Sequence, residues 1–132
     1  MILVDANVIL YAAGATHSHR EPSLRYLERV ATGEIEATTD AEVLQEVLHR
    51  YRAIGRWTEG RRVYDLAREL FPMVVPITPA ETDRARRLLD EDDRIAARDA
   101  LHAAVVLING LDGICSYDRD FDRIKGIVRR EP

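Results

Sequence analysis

The chain opens on MILVDANVIL, residues 1–10, in which an apolar run meets a carboxylate at Asp5 and an amide at Asn7. A short apolar run bounded by polar residues reads as a buried strand. Beyond the carboxyl ends of the strands of an open parallel sheet lies the crevice where ligands gather. An acid placed there is a candidate site residue. It is equally a candidate N-cap, because a carboxylate accepts hydrogen bonds from the free N–H groups of a helix's first turn. A second instance favours the crevice. The run GICS, residues 113–116, also leads into a turn that carries an acid, Asp118, with Asp120 and Asp122 close behind. Two parallel strands that both end in carboxylates can bring those carboxylates together.

The rest of the chain alternates in the same manner. MILV (1–4), EIEAT (34–38), MVVPIT (73–78) and GICS are short, apolar or alternating, and longer stretches of helical period separate them. Such alternation predicts βαβ units and an α/β fold built on a parallel sheet. Leu24, Leu27 and Val30 mark a helix closed by Gly33, and Val63, Leu66, Ala67 and Leu70 mark another ended by Pro72. A third opens at TPAE (78–81), with Thr78 as cap, Pro79 at the first helical position and Glu81 completing a capping box. A fourth, ARDALHAAVVLIN (97–109), is apolar on nearly every side and stops at Gly110, so it is expected to be the most enclosed helix. No internal repeat or low-complexity tract divides the chain, and residues 1–132 are expected to form one domain.

Composition sets limits on function. At 132 residues, 46% hydrophobic and 32% charged, the chain suffices for one globular domain with a single core. The first apolar run is broken far short of the roughly 20 residues a membrane span needs, and no basic segment precedes it. Neither an anchor nor a signal peptide is expected, and a cytoplasmic setting follows. The single cysteine, Cys115, cannot form an internal disulfide and reads as a small buried hydrophobe rather than a nucleophile. A formal net charge of −4 argues against nucleic-acid binding by bulk attraction, while leaving room for a local basic face. Of the 19 basic residues only Lys125 is a lysine. Arginine offers a planar fork suited to phosphate, although it also serves ordinary helix surfaces.

Two helices contribute further acids. Asp99 interrupts the most apolar helix, where a carboxylate without a partner is costly to bury, and neighbouring Arg98 is the simplest partner. In TTDAEVLQEVLHRY (38–51), Val43, Leu44, Val47, Leu48 and Tyr51 form one apolar arc at about 100° per residue. Glu46 borders that arc and can face a crevice beside the core, whereas Glu42 lies further toward solvent. Thr39-x-x-Glu42 also reads as a capping box, which gives Glu42 a structural task. Asp5, Glu46, Asp99 and Asp118 are thus directed to one place. Like charges so close repel unless a hard dication sits among them, and oxygen ligands without a Cys–His pattern select Mg²⁺ or Mn²⁺. The chemistry suited to such a site is phosphoryl transfer to a metal-activated water.

DANVIL, VLQEVL (43–48), RDALHAA (98–104) and SYDRDF (116–121), in this order and spacing, resemble the PIN-domain nucleases, in particular the VapC-type toxins of toxin–antitoxin pairs. The likeness runs from Ile2 to the closing IKGIVRREP. It implies a single PIN-like domain with a central parallel sheet of four or five strands flanked by helices. It implies endonucleolytic cleavage of RNA with Mg²⁺ or Mn²⁺, a homodimer, and silencing by a cognate VapB-type antitoxin. Carried onto this sequence, Asp5, Glu46, Asp99 and Asp118 become the catalytic quartet, with Asp5, Asp99 and Asp118 as metal ligands. Asn7 and Ser116 become polar supports and Asp120 an auxiliary acid.

Other residues are assigned no chemistry. His102, inside an apolar helix, reads as a hydrogen-bonded structural group. His17, His19 and His49 read as surface residues, and Trp57 as a core cover, a dimer contact or an antitoxin contact. Two other functions fit parts of the pattern. A haloacid-dehalogenase-type phosphatase also opens on a strand ending in aspartate, but it needs a second acid where this chain has Asn7. A nuclease-dead PIN module would bind RNA or a partner without cleaving, and the intact quartet disfavours it.

Overall fold

The computed structural model describes residues 1–132. Five short strands, β1 (Ile2–Val4), β2 (Ala37–Asp40), β3 (Val74–Val75), β4 (Gly113–Cys115) and β5 (Arg129–Arg130), pair in parallel in the order β3-β2-β1-β4-β5. Six helices connect them: α1 (Ala6–Ala13), α2 (Arg20–Ala31), α3 (Ala41–Ala53), α4 (Trp57–Leu70), α5 (Pro79–Glu91) and α6 (Ala97–Ile108). A 3₁₀ turn at Arg119–Arg123 follows β4. The expected parallel α/β sheet is therefore present, with the fifth strand supplied by the closing segment. EIEAT lies early: the strand starts at Ala37 and runs through Asp40.

In place of the single core expected, the period-two side-chain alternation of the strands builds two, one on each face of the sheet. Leu3 and Ile114 face one side, with α5 and α6 residues such as Leu88, Ala103 and Val106. Val4 and Cys115, one residue further along each strand, face the other side with α1 to α4 residues such as Val8, Val30, Val47 and Val63, and with Phe71 just after α4. Helix α6 is the expected enclosed helix, with Ala100 and His102 to Val106 all buried. The Thr78 start of α5 is also as expected, the Glu81 carboxylate accepting from the Thr78 backbone N–H at 2.9 Å. No helix is long and apolar enough to cross a membrane.

The Thr39-x-x-Glu42 capping box is not formed. Thr39 is still strand, and its hydroxyl donates to the Val4 carbonyl at 3.0 Å. Asp40 is the N-cap of α3 instead, accepting from Val43 N–H at 2.9 Å. Helices α3 and α4 cross where Gly60 is buried, so closely that a Cβ there would lie 2.3 Å from the Tyr51 Cβ. Gly60→Ala is therefore expected to destabilise the fold by about 1–3 kcal/mol through overpacking, despite alanine's better helix propensity. Urea unfolding measures this; an unchanged midpoint would mean the crossing is looser than described.

Candidate functional site

In the order β3-β2-β1-β4-β5 the winding of the sheet reverses at β1, so the crevice at the carboxyl ends of β1 and β4 is the switch point where such folds bind ligands. Asp5 leaves β1 there. It serves both roles weighed from the sequence: Oδ1 accepts from Ala6 N–H at 2.7 Å as the N-cap of α1, and Oδ2 turns into a polar network. The Ser116 hydroxyl donates to Asp5 Oδ2 at 2.5 Å and the Asn7 amide donates to the same oxygen at 2.9 Å. The Ser116 oxygen in turn accepts from Asn7 at 3.0 Å and from Asp118 N–H at 3.0 Å. Asn7 and Ser116 thus tie the end of β4 to the start of α1 and fix one face of Asp5.

The other predicted acids arrive from separate elements. Asp118 caps the 3₁₀ turn, accepting from Asp120 N–H at 2.9 Å. Asp99 comes from the first turn of α6 and Glu46 from the second turn of α3. Their ligand atoms form two adjoining groups, Asp5 with Glu46 and His102, and Asp99 with Asp118 and Asp120, each within 4.8 Å. Asp120 is also paired with Arg123.

The electrostatics mark the cluster as short of positive charge. Burial raises the Asp99 carboxyl, and the Asp118 and Asp5 charges raise it further, to about 6. Asp5 is raised chiefly by burial, against the lowering pull of His102 and the Ser116 hydrogen bond. The expected Arg98–Asp99 pair does not exist: adjacent residues on a helix point in different directions, and Arg98 instead reaches Glu46 Oε2 at 3.2 Å. A half-buried Asp99 with no ion-pair partner, among further carboxylates, is a donor set that fits a hard divalent cation.

Two residues that the sequence did not link complete the site. His102 Nδ1 lies 2.7 Å from Asp40 Oδ2 and Nε2 lies 2.7 Å from Glu46 Oε1. Burial opposes charge on this ring, but the hydrogen bonds to Asp40 and Glu46 and the nearby charges of Asp40 and Asp5 prevail, holding its pKa well above the usual histidine value. With both nitrogens engaged by carboxylates, His102 is not a free metal ligand. It is hydrogen-bonded, as expected, but its partners are Asp40 and the candidate site acid Glu46. The signal for Asp40, an acid at the carboxyl end of a third strand, was present in the sequence.

The remaining candidates lie apart. His17 and His49 are exposed as expected, whereas His19 is half-buried and stacks on Tyr117 with ring centroids 3.8 Å apart. Trp57 begins α4 with the Arg52 guanidinium 4.5 Å above its ring. The Cys115 thiol is buried and its pKa is pushed up to about 12, chiefly by burial, which removes it as a nucleophile.

A parallel α/β sheet with carboxylates massed at its switch point defines a class of α/β protein whose acidic crevice fits a hard cation. Within that class the chain belongs to the PIN domain family, whose model matches residues 2–127. It is 40% identical over 129 residues to Ribonuclease VapC13 of Mycobacterium tuberculosis, covering 98% of both chains. The fold matches VapBC2 from Rickettsia felis, solved bound to a DNA fragment from their promoter, at a TM-score of 0.80 and 17% identity, covering 100% of this chain and 99% of that one. It matches M. tuberculosis VapC20, a Sarcin-Ricin loop cleaving toxin, at 0.73 and 20%, with both chains fully covered.

Proposed function

We propose that this chain is an endoribonuclease, the toxin of a VapBC-type toxin–antitoxin pair, hydrolysing RNA phosphodiester bonds with Mg²⁺ or Mn²⁺. The observation that supports the proposal is the gathering of carboxylates into two groups, Asp5 with Glu46 and His102 and Asp99 with Asp118 and Asp120, with the Asp5 charge felt at Asp99, in a chain 40% identical to a protein named a VapC ribonuclease. Asp5, Asp99 and Asp118 would hold the metal, with Asp120 as an auxiliary acid. Bound there, the metal would supply activation of water and charge stabilisation on the phosphate. The chain's own residues perform the rest. Asn7 and Ser116 hold Asp5 in one orientation by their hydrogen bonds to Oδ2. Glu46 is fixed on Oε1 by His102, and its Oε2, met only by the exposed Arg98, would orient the attacking water. A VapB-type antitoxin as partner belongs to the same proposal, supported by the VapBC neighbour and the VapC relatives; a homodimer and a cytoplasmic location are proposed with it on the family resemblance alone.

Incubation with a mixed pool of cellular RNA tests it. Cleavage is expected with Mg²⁺ or Mn²⁺ and is expected to disappear in excess EDTA, because the bare cluster repels the phosphate it must approach. Full activity in EDTA would overturn the metal-dependent mechanism. A folded, metal-loaded protein that cuts no RNA would leave the nuclease-dead alternative.

A further inference from the structure

We infer that Asp40 and His102 form a buried clamp that orients Glu46, making His102 a positioning residue for RNA hydrolysis. The inference rests on the proposed nuclease reading. It comes from the path of the hydrogen bonds. Asp40 is 0% exposed and is used on both oxygens, Oδ1 by Val43 N–H at the start of α3 and Oδ2 by His102. His102, 1% exposed on α6, carries the contact back to Glu46 on the second turn of α3. The clamp therefore leaves α3, crosses to α6 and returns to α3. Of Glu46's two oxygens, Oε1 is held from the buried side, while Oε2 meets only Arg98, whose side chain is 57% exposed.

A purely structural role accounts poorly for this arrangement. A buried neutral histidine has one donor and one acceptor nitrogen. Here both nitrogens face carboxylates, so the ring donates on both sides and a charge is kept in the interior, where an apolar side chain would fill the space at lower cost. Glutamate is also a long, flexible side chain. Fixing one oxygen before substrate arrives leaves less to be ordered in the reaction, and displacement of such a group by about 1 Å can cost 10²-fold in rate.

The two amide substitutions separate the arms of the clamp. His102→Asn places its amide near the Nδ1 position and keeps the bond to Asp40, whereas His102→Gln reaches the Nε2 position and keeps the bond to Glu46. Both lose buried hydrogen bonds and are expected to melt lower than the parent, so melting curves in EDTA set a temperature at which both are folded. With a short single-stranded oligoribonucleotide and saturating Mn²⁺, His102→Asn is expected to lose about 100-fold in kcat with KM little changed, and His102→Gln to stay at least about tenfold above it. Equal kcat for the two folded variants would overturn the clamp. Independently of activity, NMR of the metal-free parent is expected to show both His102 ring N–H protons far downfield, with Glu46→Gln moving only the one on Nε2. A missing Nε2 proton, or one indifferent to Glu46→Gln, also overturns the clamp, even if neither His102 variant folds. A parent that cleaves no RNA but gives the expected spectrum refutes the nuclease reading and with it the positioning role, leaving only the clamp's geometry.

Discussion

Asp99→Asn is expected to abolish RNA cleavage while leaving the metal-free protein no less stable than the parent at neutral pH. The Asp99 carboxyl is raised from 3.8 to about 6 by burial and by the Asp118 and Asp5 charges, so in the metal-free fold its ionisation is opposed. The sign follows from proton counting. Between these two values the folded state binds more protons than the unfolded chain, so the contribution of this group to stability is present below about pH 4 and is lost as pH rises through about 6. At pH 7 and above the parent carries the full penalty, and asparagine removes it. The variant in EDTA is therefore expected to lack this part of the parent's decline in melting temperature across that window.

Metal reverses the balance. A dication binding only the folded state stabilises it by RT ln(1 + [L]/Kd), about 2.7 kcal/mol at a hundredfold excess over Kd. Because it binds ionised acids, that gain grows as pH rises past the Asp99 titration. The parent is expected to show the larger Mg²⁺-induced rise in melting temperature and the variant a smaller one. Loss of activity should exceed the roughly 10–100-fold typical of changes outside the ligand shell. If Asp99→Asn is instead clearly destabilised in EDTA and responds to Mg²⁺ as the parent does, Asp99 is a structural acid. The geometry already disfavours that outcome, since the arginine beside it is turned to Glu46.

The chain order of strands and helices was readable because short apolar runs and 3.6-residue periods alternate plainly, and the switch point follows from the parallel topology. What escaped was the fifth strand at Arg129–Arg130, the span of β2, and one residue of register at the start of α3. Thr39 and Glu42 match a capping box, and Asp40 and Val43 match an aspartate cap. Local pattern prefers the first, and the second forms because the Thr39 hydroxyl is taken by Val4 across the sheet and Asp40 by His102. No periodicity within a helix reports that 56-residue link from Glu46 to His102. Arg98 is a different kind of miss. The rule that neighbours at i and i+1 diverge on a helix was available from the sequence and pointed away from an Arg98–Asp99 pair.

Glu46→Gln is expected to remove most turnover, about 10²-fold or more, in a protein that still folds, whereas Glu42→Gln is expected to leave turnover unchanged. The two glutamates lie four residues apart on α3 and differ in what they touch. Glu46 Oε1 meets His102 at 2.7 Å and Oε2 meets Arg98 at 3.2 Å. Glutamine keeps one oxygen to accept from His102, and its amide displaces Arg98, which is exposed enough to turn into solvent. What glutamine cannot keep is the negative charge beside Asp5 and His102. Glu42 sits in the first turn of α3 behind the Asp40 cap, so its change costs only the helix-dipole interaction, about 0.3–1 kcal/mol. Steady-state cleavage of an oligoribonucleotide, beside melting curves of both variants, measures the contrast. A folded Glu46→Gln protein with parental kcat would remove Glu46 from the site. A silent Glu42→Gln protein that melts with the parent would mean that α3 turns the other glutamate toward the RNA.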